Sequence, residues 1–290
     1  MEYFSALVIT GIAVGALYGL LAMGFAMIYK VSKVVNFAQG EVMMLIAYIA
    51  YTVATETGGS AFAVVAAVIV SAIIIGYLLE RLVIRPMLGQ PVFSIVMLTI
   101  ALAVLIRAVV GIGWGVDPHR FPVDLGSGGL QILGVRLAAS QVLLLGVYTS
   151  MCIAVWSFLR FSVIGIAMRA TAADSTTAMM MGISPSQIYR LAWIMSALMA
   201  GTAGVLLAMI NNIGIEMSDI GIRSFPAAVM GGLDSVIGAG FAGILIGVIE
   251  NLAGGYIGSG YKEIAGFAVL LVVLMLRPYG LFGEKDIERV

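Results

Sequence analysis

LVITGIAVGALYGLLAMGFAMI, residues 7–28, contains neither a charged side chain nor a proline. The hydrocarbon core of a bilayer is about 30 Å thick and a helix rises 1.5 Å per residue, so roughly 20 apolar residues in a row cross it. This run is long enough, and further apolar runs, some of them shorter, follow at 42–55, 61–79, 92–112, 140–159, 188–210, 236–250 and 264–276. The chain of 290 residues is 62% hydrophobic and only 10% charged, with a mean hydropathy of +1.12. Soluble domains carry about a quarter charged residues, and so few charges cannot cover a water-facing surface. The expectation is an all-α integral membrane protein, one domain over residues 1–290: a polytopic helical bundle of about eight or nine transmembrane segments. One of these is broken or re-entrant. Residues 219–233 are apolar but interrupted by Pro226, Gly231 and Gly232, and such backbone survives at membrane depth only against protein or water.

Composition also narrows the function. The formal net charge is zero, so a nucleic-acid partner is excluded as a working class. The single cysteine, Cys152, permits no internal disulfide, and one histidine, His119, without a Cys/His cluster offers no metal site. No converging catalytic set is present, so no catalytic residue is assigned. The amino terminus opens on Glu2 without a basic flank or small-residue cleavage site, so the first run reads as a retained membrane helix. None of Lys30, Lys33, Lys262 or Lys285 follows a glycine, as a phosphate-binding loop requires. A chain of this kind binds no cofactor itself, and its energy would come from a partner chain or an ion gradient.

Basic residues orient the bundle. With the amino terminus outside and the broken segment counted as a crossing, ten of the 15 Lys and Arg fall on the cytoplasmic side. If that segment only dips in and out, eight do, so the first arrangement is preferred. It places residues 113–139 outside as a polar loop, either plainly solvated or a docking surface, and residues 160–190 inside. In the inner segment, DSTTAMMMG at 174–182 reads as the end of a short helix over 170–181, stopped by Gly182 in a left-handed conformation. Ser184, Pro185 and Gln187 read as N-cap, first helical residue and capping box of the next crossing. Glycines at every fourth position, Gly11, Gly15 and Gly19, then Gly243 and Gly247, are the pattern of close helix packing.

Several blocks carry a resemblance. Ala178 followed four residues later by Gly182 resembles the cytoplasmic coupling segment of ABC importer permeases, although the acidic residue usual just before that alanine is replaced by Asp174, four positions earlier. VNFAQGE at 35–41, GIAMR at 165–169, MGI at 181–183, FPAAVMGG at 225–232 and RPYGLFG at 277–283 together resemble the LivH-type permeases of branched-chain amino acid transporters. The resemblance implies a multi-pass protein of the bacterial cytoplasmic (inner) membrane. It further implies a second homologous permease chain, two ATP-binding cassette ATPases inside and a periplasmic solute-binding protein outside. The solute is not fixed, since relatives carry urea, short amides or small organic acids.

Within that frame Arg169, Asp174, Ala178 and Gly182 are the expected coupling residues. Asn36, Gln39 and Glu41 form a polar patch at the start of the second crossing, costly against lipid, which either lines the translocation path or makes a hydrogen-bonded corner. Phe225, Pro226, Gly231 and Gly232 are expected to break a helix and free backbone groups for the pathway. Glu80, Arg81 and Arg85 read as an interfacial charge cluster, and Arg107, Glu250 and Asn251 as helix ends reaching outward. A self-sufficient carrier, which should bury coupling acids inside its helices, is the competing class.

Overall fold

The computed structural model describes residues 2–87, 89–123, 128–132 and 135–283; Asp124, Lys285 and Arg289 lie outside them. The described chain runs α1 (Glu2–Ser32), α2 (Gln39–Glu56), α3 (Ala61–Leu78), a π-helical turn (Leu79–Ile84), a 3-10 turn (Arg85–Met87) and α4 (Val92–Trp114). Two short strands follow, β1 (Gly129–Ile132) and β2 (Val135–Ala138), then α5 (Ala139–Phe161), α6 (Val163–Ala173), α7 (Ser175–Met180) and α8 (Pro185–Ile210). A 3-10 turn (Ile215–Ser218) precedes α9 (Asp219–Gly231) and α10 (Val236–Tyr256), and a last one (Ser259–Tyr261) precedes α11 (Lys262–Leu276).

Seven of these helices are long and apolar enough to cross a membrane. The second helix, α2, is 18 residues long but polar at both ends, with Gln39, Glu41 and Glu56. It is instead the most enclosed: Met44, Ala47, Tyr48 and Ala50 are fully buried. By contrast α4, α5 and α11 leave most of their apolar surface outside, with Ile112, Leu271 and Met275 among the widely exposed side chains. Patches of that size would drive association in water but match a lipid surface.

The helix pair α1–α10 forms the spine. A Cβ added at Gly11 would lie 2.7 Å from Val248 Cα, and one at Gly15 would lie 2.6 Å from Ile244 Cα. One at Gly19 would meet the Gly240 carbonyl at 2.8 Å. As α1 advances, its partners on α10 recede, so the two run antiparallel with backbones almost touching. Lipid supplies no hydrophobic drive between apolar helices, and close van der Waals contact over glycine takes its place.

This defines two ends: the near end, where α1 begins, and the far end, where it finishes. At the far end Lys30 donates to the Asp234 carbonyl (2.8 Å) and Lys33 pairs with the Asp234 carboxylate (2.6 Å). Lys33, the one described non-glycine residue with positive φ (54°), turns the chain back on itself. Residues 33–38 then climb beside α1 without forming a helix, and α2 starts only at Gln39.

Two features depart from the sequence expectations. The outer loop is not wholly irregular: β1 and β2 make an antiparallel hairpin with Gly129 opposite Ala138, so the described fold is helical with one small sheet. His119 exchanges backbone hydrogen bonds with Ile213 (2.8 Å each way) and stacks on Tyr51, which ties this loop to the near end. The helix foreseen over 170–181 is two helices parted at Asp174. Asp174 accepts from the Thr176 amide (2.8 Å) and caps α7, since a short acidic side chain competes with a helix's own carbonyls for free amides.

Candidate translocation pathway and coupling surface

The turn into α2 places Asn36 and Gln39 beside α8, at Ser196. Asn36 Nδ2 donates to Gln39 Oε1 (3.2 Å), and Ser196 Oγ donates to the same oxygen (3.1 Å). Gln39 Nε2 reaches the Ser196 carbonyl (3.4 Å), and Asn36 Oδ1 accepts from the Ala38 amide (3.1 Å). Both amide side chains are 1% exposed. Gly24 of α1 faces the Gln39 amide so closely that a methyl group would overlap it. A polar group in an apolar interior costs free energy unless it is bonded, and this cluster bonds its members to one another.

Two residues further on, Glu41 is gathered with residues the sequence kept apart. Arg107 Nη2 donates to Glu41 Oε1 (3.3 Å), to Ser218 Oγ (2.5 Å) and to Asp219 Oδ1 (2.9 Å). Arg107 therefore does not reach outward as expected; it clamps α2 and α4 to the start of α9. The clamp works because the backbones meet there: a Cβ on Gly221 would lie 2.6 Å from Gly40 N.

In α9, Phe225 packs against Phe25 and Phe37 with ring centroids 5.6 Å apart in each pair, joining this helix to α1 and to the climbing segment. Pro226 does not break the helix; it sits inside the 13 residues of α9. The interruptions lie on either side, in residues 211–218 and at Gly232, whose φ is +96°. The carbonyls expected to be free for a solute are taken: Leu281 N donates to Met230 O (2.8 Å) and Phe282 N to Gly231 O (3.2 Å). Residues 279–283 pack so tightly here that a Cβ on Gly232 would lie 2.6 Å from Gly283 N. That brings the chain after α11 to the far end, beside Asp234.

The inner segment occupies the same end. Ser162 caps α6, accepting from the Gly165 amide (2.8 Å). Arg169 turns back to the Leu159 carbonyl, which ties α6 to the end of α5. Gly182 has φ +83°, the left-handed stop foreseen. Ser184 precedes α8 and Pro185 opens it, but no side-chain capping bond forms there. Ala178, expected to face a partner, is buried at 3%, whereas Met179, Met180 and Met181 are exposed at 52%, 81% and 79%. Asp174 is exposed, and its carboxyl is held below the usual range, first by the Thr177 hydroxyl.

Three groups escaped sequence reading. Glu80 is no interfacial charge: it is fully buried in the π-helical turn and pairs with Arg85 (3.0 Å) and Arg190 (3.6 Å), fastening α3 to α8. Glu250 and Asn251, expected at a helix end reaching outward, are each 6% exposed. The Tyr18 hydroxyl donates to Glu250 Oε2 (2.9 Å) and Asn251 Nδ2 approaches the Leu7 carbonyl (3.5 Å). An acid or amide on the buried stripe of a helical pattern was the only available signal.

A helical membrane bundle with polar clusters bonded across its interior is the architecture of a multi-pass transport protein. A family model described as "Branched-chain amino acid transport system / permease component" matches residues 7–276, and the chain belongs to that family. It is 29% identical to the high-affinity branched-chain amino acid transport system permease protein LivH of Escherichia coli (strain K12), covering 99% of this chain and 98% of that protein. The corresponding permease BraD of Pseudomonas aeruginosa is 32% identical over 97% of this chain and 96% of that protein. Among solved structures, PsaBC from Streptococcus pneumoniae in complex with Fab shares the fold, with a TM-score of 0.51 at 14% identity, covering 96% of this chain and 93% of that one. The chain is thus a transport permease component rather than an enzyme.

Proposed function

We propose that this chain is the membrane-spanning permease of an ATP-driven importer for branched-chain or other hydrophobic amino acids. It works beside a second homologous permease, with two ATP-binding cassette ATPases that carry ATP and Mg, and receives solute from an external, periplasmic binding protein. The far end is the cytoplasmic face of a bacterial inner membrane, because Lys30, Lys33, Arg160, Arg169, Arg190 and Arg277 gather there. The segment 211–232 then counts as a crossing, since one end pairs with His119 of the near loop and the other leads to Asp234. This makes nine traversals.

The observation that carries the reading is the methionine turn. Exposed Met179, Met180 and Met181 stand at the cytoplasmic end, closing a helix that is fixed at its start by Asp174 and followed by the Gly182 stop. Unbranched, polarisable methionine is suited to an adaptable protein contact. Buried Ala178 explains why a small residue is needed there without touching the partner: it lets the turn lie flat on its own bundle. Purification in mild detergent should bring two ATPases and a second permease with the wild-type chain. Met180→Glu should keep the chain folded but lose the ATPases and uptake. A Met180→Glu chain that retains both would overturn the assignment of this surface.

A further inference from the structure

A second polar set lies nearer the opposite end. A cavity of about 330 Å³ opens between α1, α8, α9, α10 and α11. Tyr18 and Glu250 form its buried floor, 5% and 6% exposed, and Arg223, Lys262 and Glu263 stand exposed at its mouth. One wall is apolar, built by Ala13, Val14, Leu17, Leu207 and Ile220.

We infer that this cavity binds the free amino-acid zwitterion on its way through the permease, with the α-ammonium on Glu250, the α-carboxylate at Arg223 and Lys262, and the aliphatic side chain against the Leu17–Ile220 wall. Three observations carry it. The Glu250 carboxylate lines the cavity at 6% exposure; Tyr18 donates to its Oε2, while Oε1 turns toward Gly266 of α11, where an added Cβ would lie 2.6 Å from it, and takes no hydrogen bond from the described residues. A carboxylate with an acceptor left over beside a cavity favours a cationic donor, which an ammonium supplies. The mouth holds two cations and one carboxylate, with Arg223 partly engaged by Glu263 (2.7 Å) and Lys262 laid along Gly254 without an ion pair among the described residues. The lining's two positive and two negative charges balance, so a zwitterion enters without leaving a net charge inside, whereas an organic acid or a simple amine would unbalance it. The size, at the low end of the ligand-pocket range, fits one small molecule and not a peptide.

The inference rests on the permease reading, so the test separates them. The permease pair with its ATPases, lacking the external binding protein, is placed in nanodiscs of anionic lipid and titrated with radiolabelled L-leucine. Leucine should bind, while leucinamide and 4-methylpentanoate, each missing one charge, should compete poorly. Glu250→Gln and the exposed Arg223→Gln should each weaken binding about ten- to a hundredfold, the span expected for losing one charged partner. Arg223→Gln serves where Glu250→Gln harms folding, which the melting temperature reports. Equal binding of leucinamide, no effect of either variant, or a zwitterionic phospholipid headgroup that leucine cannot displace would each overturn the site. ATP-driven uptake by the complete importer reports the permease reading on its own: intact uptake with unaltered binding in both variants sinks the cavity and leaves the permease standing. Leucine binding that both variants weaken, in an assembly that never drives uptake, upholds the cavity and sinks the coupling.

Discussion

Two polar clusters lie inside the bundle, and they are finished differently. The Asn36–Gln39–Ser196 set closes on itself: acceptors meet donors from neighbouring helices, and Gly24 leaves no spare volume. The Tyr18–Glu250 set stops one bond short and faces a cavity. In hydrocarbon an unbonded polar group is expensive, so a saturated cluster reads as architecture and an unsaturated one as a place for something to bind. Polar residues at the start of a crossing point to the first cluster, whereas the open chemistry sits in the second.

That contrast can be broken or sharpened by experiment. The largest effect should come from neither cluster but from the spine that brings both together. Gly15→Leu drives a side chain into the α10 backbone at Ile244, and no monodisperse protein should be recovered by size exclusion. Gly231→Val, facing the Ala239 and Gly238 backbone, should fail the same way and not as a folded but inactive permease.

Next comes the closed cluster. Gln39→Ala strands partners in Asn36 and Ser196, and should destabilise by about 1–3 kcal/mol in a detergent melt. Combining it with Ser196→Ala should cost less than the two single losses together, because the residues share one network. Full additivity would mean the amides act independently and the cluster is not a unit. In the open cluster, Tyr18→Phe removes one hydrogen bond, so the melt should fall by less than for Gln39→Ala while the leucine KM of uptake rises. If the melt falls as far as for Gln39→Ala, the two clusters are alike and the contrast fails.

The smallest effect is expected at the exposed cap. The Asp174 carboxyl lies lower in the folded chain than its ordinary value, so its contribution is complete above the ordinary carboxylate range and fades only as pH falls through the lowered value. Between pH 5 and 8 the α7 cap should therefore be indifferent to pH. Asp174→Ala should loosen α7, seen as faster amide exchange at Thr176, without moving the global melt. Exchange at Thr176 that quickens between pH 8 and 5 in the wild-type chain would contradict this.

The lesson for reading such a chain lies in which partners are local. Gly182 and the glycine stripes were legible because a left-handed stop and a close-packed face are properties of one segment. Arg107 and Glu250 were misplaced because hydropathy treats a charge near a helix end as reaching outward, and nothing along the chain says that a partner stands opposite. Pro226 was overread for the same reason: a proline inside a helix is tolerated when neighbours absorb the lost hydrogen bond, and in α9 the breaks fall elsewhere.

The sequence by itself determined that this is a multi-pass membrane protein of the branched-chain amino acid permease family. Lipid demands long uncharged runs, and the family's blocks are written along the chain. Only the tertiary structure decided which charges are paired. Tyr18 and Glu250 stand 232 positions apart, and Arg107 and Asp219 stand 112 apart. In a low-dielectric interior the free energy of a charge depends on what lies within a few ångströms of it. That distance is set by how α1 lies on α10, and α2 and α4 on α9, and no single segment encodes it.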